Sequence, residues 1–318
     1  MTRSRLFFAT DVHGSQKVMQ KFVWAGKFYK VDVLILGGDI TGKVVVPIIS
    51  RPDGTYQAEV RGGVIQQVQT EDELEELESR INNQGFYTCH VTPEEMNHLS
   101  SSNAAREELF ARVMKESIQK FHQHAEEYLN GTGIKCFIQA GNDDTPDVRA
   151  LLDDSNFIYN PEGKVVEIDK HHEMISTGYA NMTPWHCPGD IPDEELRDKI
   201  EQMTSQVQNM ENCIFNIHCP PFDSGLDIAP ELDDNRTVVY SQGRISMVPV
   251  GSRAVRKAIE THQPLLGLHG HIHESRGAYK IGQTMCINPG SEYSEGLLRG
   301  VIVTLDKKGI KGYQFVAG

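Results

Sequence analysis

The stretch Leu6-Phe7-Phe8-Ala9-Thr10-Asp11-Val12-His13-Gly14 opens with a short apolar run, the pattern of a strand buried on both faces. It closes with Asp11 and His13, two residues apart at the strand exit. An extended backbone projects both side chains to one side, roughly 7 Å apart at the Cα atoms, which suits one cation. The arrangement recurs down the chain. Val33–Leu36 runs into Gly37, Gly38 and Asp39; Cys136–Ile138 into Gly141, Asn142, Asp143 and Asp144; Ile214–Ile217 into His218; and Leu265–Leu268 into Gly270, His271, Ile272 and His273. One Asp or His at a strand end means little. Five such exits carrying carboxylate, amide and imidazole groups point to one shared two-metal centre. Asp39 follows two glycines that let the backbone turn tightly, and its two oxygens can bridge a pair of ions. The mixed nitrogen and oxygen donors suit Mn, Fe, Co, Ni or Zn better than Mg or Ca.

Amphipathic segments separate these strands. Phe110, Val113, Met114, Phe121, Ala125 and Tyr128 mark one, and Leu196, Ile200, Met203 and Val207 another, each close to helical spacing. A third starts at Ser252 as N-cap and runs through Val255 and Ile259. Strands alternating with helices predict an α/β layered core with its active residues at the carboxyl ends of the strands. Later apolar runs at Val165–Ile168, Met174–Ser176, Tyr279–Ile281, Val301–Leu305 and Tyr313–Val316 predict a second sheet packed on the first. Residues 43–102 break the rhythm. Val44–Ile49 and Tyr56–Val60 flank the turn signal Arg51-Pro52-Asp53-Gly54, and Thr70 with Glu73 forms a capping box before an acidic helix. Phe86–Val91 reads as a strand, and Thr92-Pro93-Glu94 opens a further helix. This compact insertion is expected to be a lid, a dimer contact or a surface elaboration.

The chain has 318 residues, enough for a substantial core, and a formal charge of −13, which disfavours a long footprint on duplex nucleic acid. Six scattered cysteines without paired spacing read as reduced, buried thiols rather than a zinc ribbon. The first apolar run is too short for a membrane span. A dinucleotide-binding fold is excluded, because no Gly-x-Gly-x-x-Gly follows the first strand. A cytoplasmic protein is expected.

The ordered series Asp-x-His, Gly-Gly-Asp, Gly-Asn-x-Asp, His and Gly-His-x-His resembles the calcineurin-like metallophosphoesterases over nearly the whole core, leaving only the insertion outside. His218-Cys219-Pro220-Pro221 with Asp227, and the turn Ile287-Asn288-Pro289-Gly290-Ser291, are similar to loops of a cytosolic prokaryotic branch of predicted phosphoesterases. The resemblance implies an α/β fold (α+β by some schemes), a four-layer α-β-β-α double β-sandwich. Residues 1–318 then form a single domain, with residues 43–102 as a small inserted α+β subdomain. It implies a first metal on Asp11, His13, Asp39 and His273, and a second on Asp39, Asn142, His218 and His271. The implied activity is phosphoester hydrolysis in which a hydroxide bridging two divalent or trivalent transition-metal ions attacks phosphorus in line. A nuclease, or a catalytically weak interaction scaffold with the same fold, is the alternative. The expected partner is a small phosphoester, with nucleic acid less favoured, no membrane, and a homo-oligomer left open.

The chain departs from the family at one position. The family's Gly-Asn-His-Asp reads Gly141-Asn142-Asp143-Asp144, so Asp143 stands where an imidazole belongs. An ionised Asp143 facing the phosphoryl group would repel a monoester, with nearly two negative charges, more than a diester with one. A phosphodiester or nucleotide-like substrate is therefore expected. Asp143 and Asp144 are the candidates for proton transfer or for supporting the ligands. The loop Thr177–Asp190, with Asn181, Trp185 and His186, is a candidate lining of the cleft. His269 is expected to pack within its strand, Cys219 to be a buried thiol, and His171 and His172 to lie at the surface.

Overall fold

The computed structural model describes residues 3–60 and 62–318. Its α-helices are α1 Gln16–Phe28, α2 Glu71–Asn83, α3 Pro93–Ser101, α4 Asn103–Leu129, α5 Pro146–Leu151, α6 Asp193–Thr204 and α7 Arg253–His262. Two large sheets carry the fold. The first has five strands in the order Gly309–Ala317, Arg299–Asp306, Ser4–Ala9, Val33–Leu36 and Lys135–Ile138. Its last three strands are parallel, so the exits of Ser4–Ala9, Val33–Leu36 and Lys135–Ile138 lie side by side. The second has six strands in the order Gly277–Ile281, Thr284–Asn288, Leu266–Leu268, Cys213–Ile217, Glu173–Thr177 and Val165–Glu167. Here Leu266–Leu268 and Cys213–Ile217 run parallel at the centre.

Side-chain alternation explains the layering. Leu6 and Phe8 face the second sheet and pack with Ile214, Leu266, Leu268 and Ile287, while Phe7 and Ala9 face the opposite way among Val18, Phe22, Met114 and Ile118 of α1 and α4. On the far side, Ile175, Phe215 and Cys286 pack against Leu196, Ile200, Val255 and Ile259 of α6 and α7. The result is helix, sheet, sheet, helix, as expected. Each large apolar side chain fully removed from water contributes on the order of 2 kcal/mol, which is why strands at this depth are apolar on both faces. Ser252 caps α7, its hydroxyl accepting from the Val255 amide at 3.0 Å.

Two of the later strands do not join the sheet expected of them. Arg299–Asp306 pairs antiparallel with Ser4–Ala9, and Gly309–Ala317 pairs with Arg299–Asp306, so both belong to the first sheet. Val301, Val303 and Leu305 are buried between the two sheets. An apolar run of this kind satisfies the open edge of either sheet equally well, so its composition does not select one. His172 is likewise buried rather than at the surface. Asp169 accepts from the amides of both His171 and His172, and this tight turn tucks the His172 ring inward, with Nδ1 2.8 Å from the Asp169 carboxylate.

Within residues 43–102 lies a separate four-stranded sheet in the order Val64–Val68, Tyr56–Val60, Val45–Ser50 and Tyr87–Val91. Leu74, Leu77 and Ile81 of α2 cover Val46, Ile48 and Ala58. Thr70 with Glu73 and Thr92 with Glu95 form reciprocal capping boxes at the starts of α2 and α3. The strand Val64–Val68 escaped the sequence reading, because its exposed edge carries Gln66 and Gln67 instead of an apolar alternation. No helix among the described residues is long and apolar enough to cross a membrane.

Asn288 fastens the loops beside the strand exits. Its Nδ2 donates to the carbonyls of Ile272 at 2.9 Å and of Leu226 and Gly270 at 3.3 Å, while its Oδ1 accepts from the Gly290 amide at 2.8 Å. Asn288→Ala takes the partner from the Gly290 amide and a donor from each of the three carbonyls, of which Gly270 and Ile272 keep backbone partners, and should remove about 1–3 kcal/mol of stability. Denaturant unfolding of the metal-free protein measures this, and a midpoint equal to wild type would show that the loops hold without Asn288.

Candidate metal centre

Asp11, His13, Asp39 and His271 all sit in left-handed backbone, with φ of 54°, 41°, 51° and 67°. The extended Asp11-Val12-His13 step expected from sequence is therefore not formed; the strand stops at Ala9 and the chain coils at once. Left-handed φ costs a residue with a side chain on the order of 1 kcal/mol and concentrates at functional sites. The surrounding hydrogen bonds hold it. The amides of Asp11, His13 and Gly14 donate to the carbonyls of Gly38, Asp39 and Ile40 at 2.9–3.0 Å, lacing the first two exits together. Two glycines are required by close approach. A Cβ on Gly38, at φ 121°, would sit 2.5 Å from His218 Nδ1, and one on Gly141 would overlap Asp39 Oδ1.

Six of the seven residues singled out at the strand exits converge at one end of the two sheets, and Asn142 follows Gly141, which packs directly against Asp39. Asp11, His13 and His273 offer ligand atoms within 4.8 Å of one another, and so do Asp39, His218 and His271. The groups abut: His13 Nε2 lies 3.7 Å from Asp39 Oδ2, and His218 Nε2 lies 3.4 Å from Asp39 Oδ2 and 3.9 Å from Asp11 Oδ1. Asn142 donates its Nδ2 to Asp190 Oδ1 at 2.9 Å, and His218 donates its Nδ1–H to the Gly37 carbonyl at 2.9 Å. Their other polar atoms, Asn142 Oδ1 and His218 Nε2, are buried without a hydrogen-bond partner among the described residues. Such orphaned polar atoms, that of His218 beside the Asp39 and Asp11 carboxylates, fit a cation, which would complete them.

The electrostatics agree. Burial works to raise the Asp11 carboxyl, but His218, His273 and His13 hold it far below the ordinary carboxylate range. Burial opposes charge on His218, yet Asp39 and Asp11 lift its pKa to about 10. Burial pushes His13 and His271 down to about 4, leaving neutral imidazoles ready to ligate.

Asp143 is not an unpaired charge. Its Oδ2 forms an ion pair with Lys43 and lies 3.8 Å from His13 Nδ1, and its amide donates to Asp39 Oδ1 at 3.0 Å. Burial tends to raise its pKa, but Cys187 and Lys43 hold it down at about 2. Asp143 also forms a third close group with His13 and Asp39. Asp144 is fully buried and accepts from the amides of Ile40, Thr41 and Gly141 and from the Thr41 hydroxyl. Its carboxylate is spent on clamping the Asp39 loop to the Asn142 loop. Ser291 and His271 secure Asp11, through its carbonyl at 2.6 Å and its carboxylate at 3.0 Å.

Lys43 and Asp190 were not among the residues drawn from the sequence. Asp190 orients Asn142 and itself accepts from Thr183 and Cys187. It closes the very loop that had been singled out for Asn181, Trp185 and His186. Of those, Asn181 donates to the Val250 carbonyl and Trp185 is exposed. His269 packs as expected, fully buried with Nδ1 on the Ile217 carbonyl at 2.8 Å. Cys219 is buried, and burial pushes its thiol up to about 12.

The four layers form an α-β-β-α double β-sandwich, with the ligand types gathered at the carboxyl ends of parallel strands, and solved structures share this fold over the whole chain. A structure of the protein TT1561 from Thermus thermophilus aligns over 100% of this chain and 99% of that one, with a TM-score of 0.53 at 13% identity. Another solved structure aligns over 99% of both chains with a TM-score of 0.58 at 15% identity. At these identities the likeness is one of fold alone. No known family profile matches the chain. An uncharacterized protein of Methanocaldococcus jannaschii is 33% identical over 152 residues, which span 47% of this chain and 61% of that protein.

Proposed function

We propose that the chain is a metal-dependent phosphoesterase. The observation that carries this reading is the convergence of Asp11, His13, Asp39, His218, His271 and His273 from both sheets, with Asn142 Oδ1 and His218 Nε2 buried and unpartnered among the described residues. Asp11, His13, Asp39 and His273 would hold one ion, and Asp39, Asn142, His218 and His271 a second. When bound, such a pair supplies Lewis acidity toward a phosphoryl oxygen and acidifies water. The chain's own residues do the rest: Asp190 aims Asn142, Asp144 fixes the Asp39 loop, and the Lys43–Asp143 pair faces the cluster with no net charge. A neutral pair accepts the single charge of a phosphodiester and adds no cation for the second charge of a monoester, which supports a diester preference.

The test is hydrolysis of a panel of phosphate mono- and diesters by protein reconstituted in turn with Mn, Fe, Co, Ni and Zn. The expected result is turnover with at least one metal and a higher kcat/KM for diesters. Silence in every combination would leave an interaction scaffold with this fold.

A further inference from the structure

Beside the metal cluster lies a cavity of about 880 Å³. Val45 and Pro47 of the four-stranded sheet, Leu99 of α3 and Phe110 of α4 line it, and Lys43 and Thr145 stand on the side of the cluster. We infer that this cavity receives an apolar organic group carried by the phosphoester. The inference rests on the phosphoesterase reading and goes further by naming the chemistry of the rest of the substrate.

Three observations carry it. First, Lys43 links the cavity to the centre: it lines the cavity while pairing with Asp143, whose carboxylate is grouped with His13 and Asp39 within 4.8 Å. Thr145 follows two residues later on the same loop. Second, its size falls within the range of sites that enclose a drug-sized organic group, well beyond what a phosphate needs. Third, most of the wall is aliphatic and aromatic, from Val45, Pro47, Leu99 and Phe110, with Arg106, Glu107 and Asp147 also on the lining and Lys43 at the side that pairs with Asp143. A ligand with one anionic end and an apolar body matches a wall that is mostly apolar and meets Lys43 at one side. Water in such a space gives up little by leaving, so the occupant gains from each methylene it buries. The segment Val45–Ser50 and helix α3, which lie within residues 43–102, thereby acquire a role as one wall of a specificity pocket.

A homologous series of alkyl p-nitrophenyl phosphodiesters, from methyl to decyl, tests this on the intact, metal-reconstituted chain. Hydrolysis adds water across the aryl P–O bond and releases p-nitrophenolate and an alkyl phosphate, so colour reports every member equally. In wild type, kcat/KM should rise with chain length by up to about fourfold per methylene until the cavity is full. Leu99→Trp on α3 and Ala111→Trp on α4, where Ala111 also lines the cavity, place a large ring in it and should flatten that rise. Circular dichroism and melting temperature confirm that each variant folds. Non-hydrolysable decyl phosphonate should raise the wild-type melting temperature, and do so less in Leu99→Trp. Turnover that is flat across the series in wild type overturns the pocket while leaving the phosphoesterase reading intact. Absence of all turnover with every metal overturns both. A change of oligomeric state in Leu99→Trp with an unaltered chain-length profile assigns the cavity to a second copy of the chain and overturns the proposal.

Discussion

Asp39→Asn is expected to lower kcat/KM for a phosphodiester by about a thousandfold, on the order of 4 kcal/mol of transition-state stabilisation, and to reduce bound metal to one ion or fewer. The substitution keeps the size of a side chain that is 2% exposed, so the backbone of its loop should survive. It removes the carboxylate that stands 3.7 Å from His13 and 3.4 Å from His218, a position from which one residue reaches both groups of ligands. An amide has one oxygen to offer a cation and no charge to balance two. Metal content by emission spectrometry, with steady-state kinetics on the same sample, checks both halves of the expectation. Normal turnover with two bound ions would overturn the shared role of Asp39.

The second large effect is expected at Lys43. Lys43→Met keeps the aliphatic stem and deletes the charge that neutralises Asp143. A bare carboxylate about 5 Å from a phosphoryl oxygen repels one unit of charge by roughly 3 kcal/mol at an effective dielectric of 20, and less here because Lys43 is more than half exposed to solvent. Allowing for that screening, kcat/KM should fall about tenfold for a diester and about a hundredfold for a monoester, whose second charge feels the repulsion again. Adding Asp143→Asn to Lys43→Met should restore most of both losses. Parallel assays of bis(p-nitrophenyl) phosphate and p-nitrophenyl phosphate measure the difference, and equal losses on the two esters would place the pair away from the phosphoryl group.

The five strand exits were legible because burial on both faces forces strands to be apolar, and a polar ligand type directly after such a run breaks the pattern visibly. Asp11, Asp39, Asn142, His218 and His271 were found by that contrast. What followed from tertiary pairing was not legible. Arg299–Asp306 could have completed either sheet, and only the free side of Ser4–Ala9 decides it. The left-handed turns at Asp11 and His13 are imposed by amides reaching the carbonyls of Gly38 and Asp39, partners that a local reading cannot supply. Lys43 looks like any lysine after a glycine until Asp143 arrives beside it from a distant part of the chain. Asp190 had a weak local signal, an acidic residue closing a turn-rich loop, but its bond to Asn142 had none.

The ligands are divided between the layers: Asp11, His13, Asp39 and Asn142 leave the first sheet, and His218, His271 and His273 leave the second. Any ion shared among them is a rivet through the open end of the sandwich, where the apolar filling of Leu6, Phe8, Ile214 and Leu266 gives way to polar loops. On the proposed reading, cation uptake would tie one sheet to the other, and a chelator that stripped the centre would also unfasten the two halves at that end.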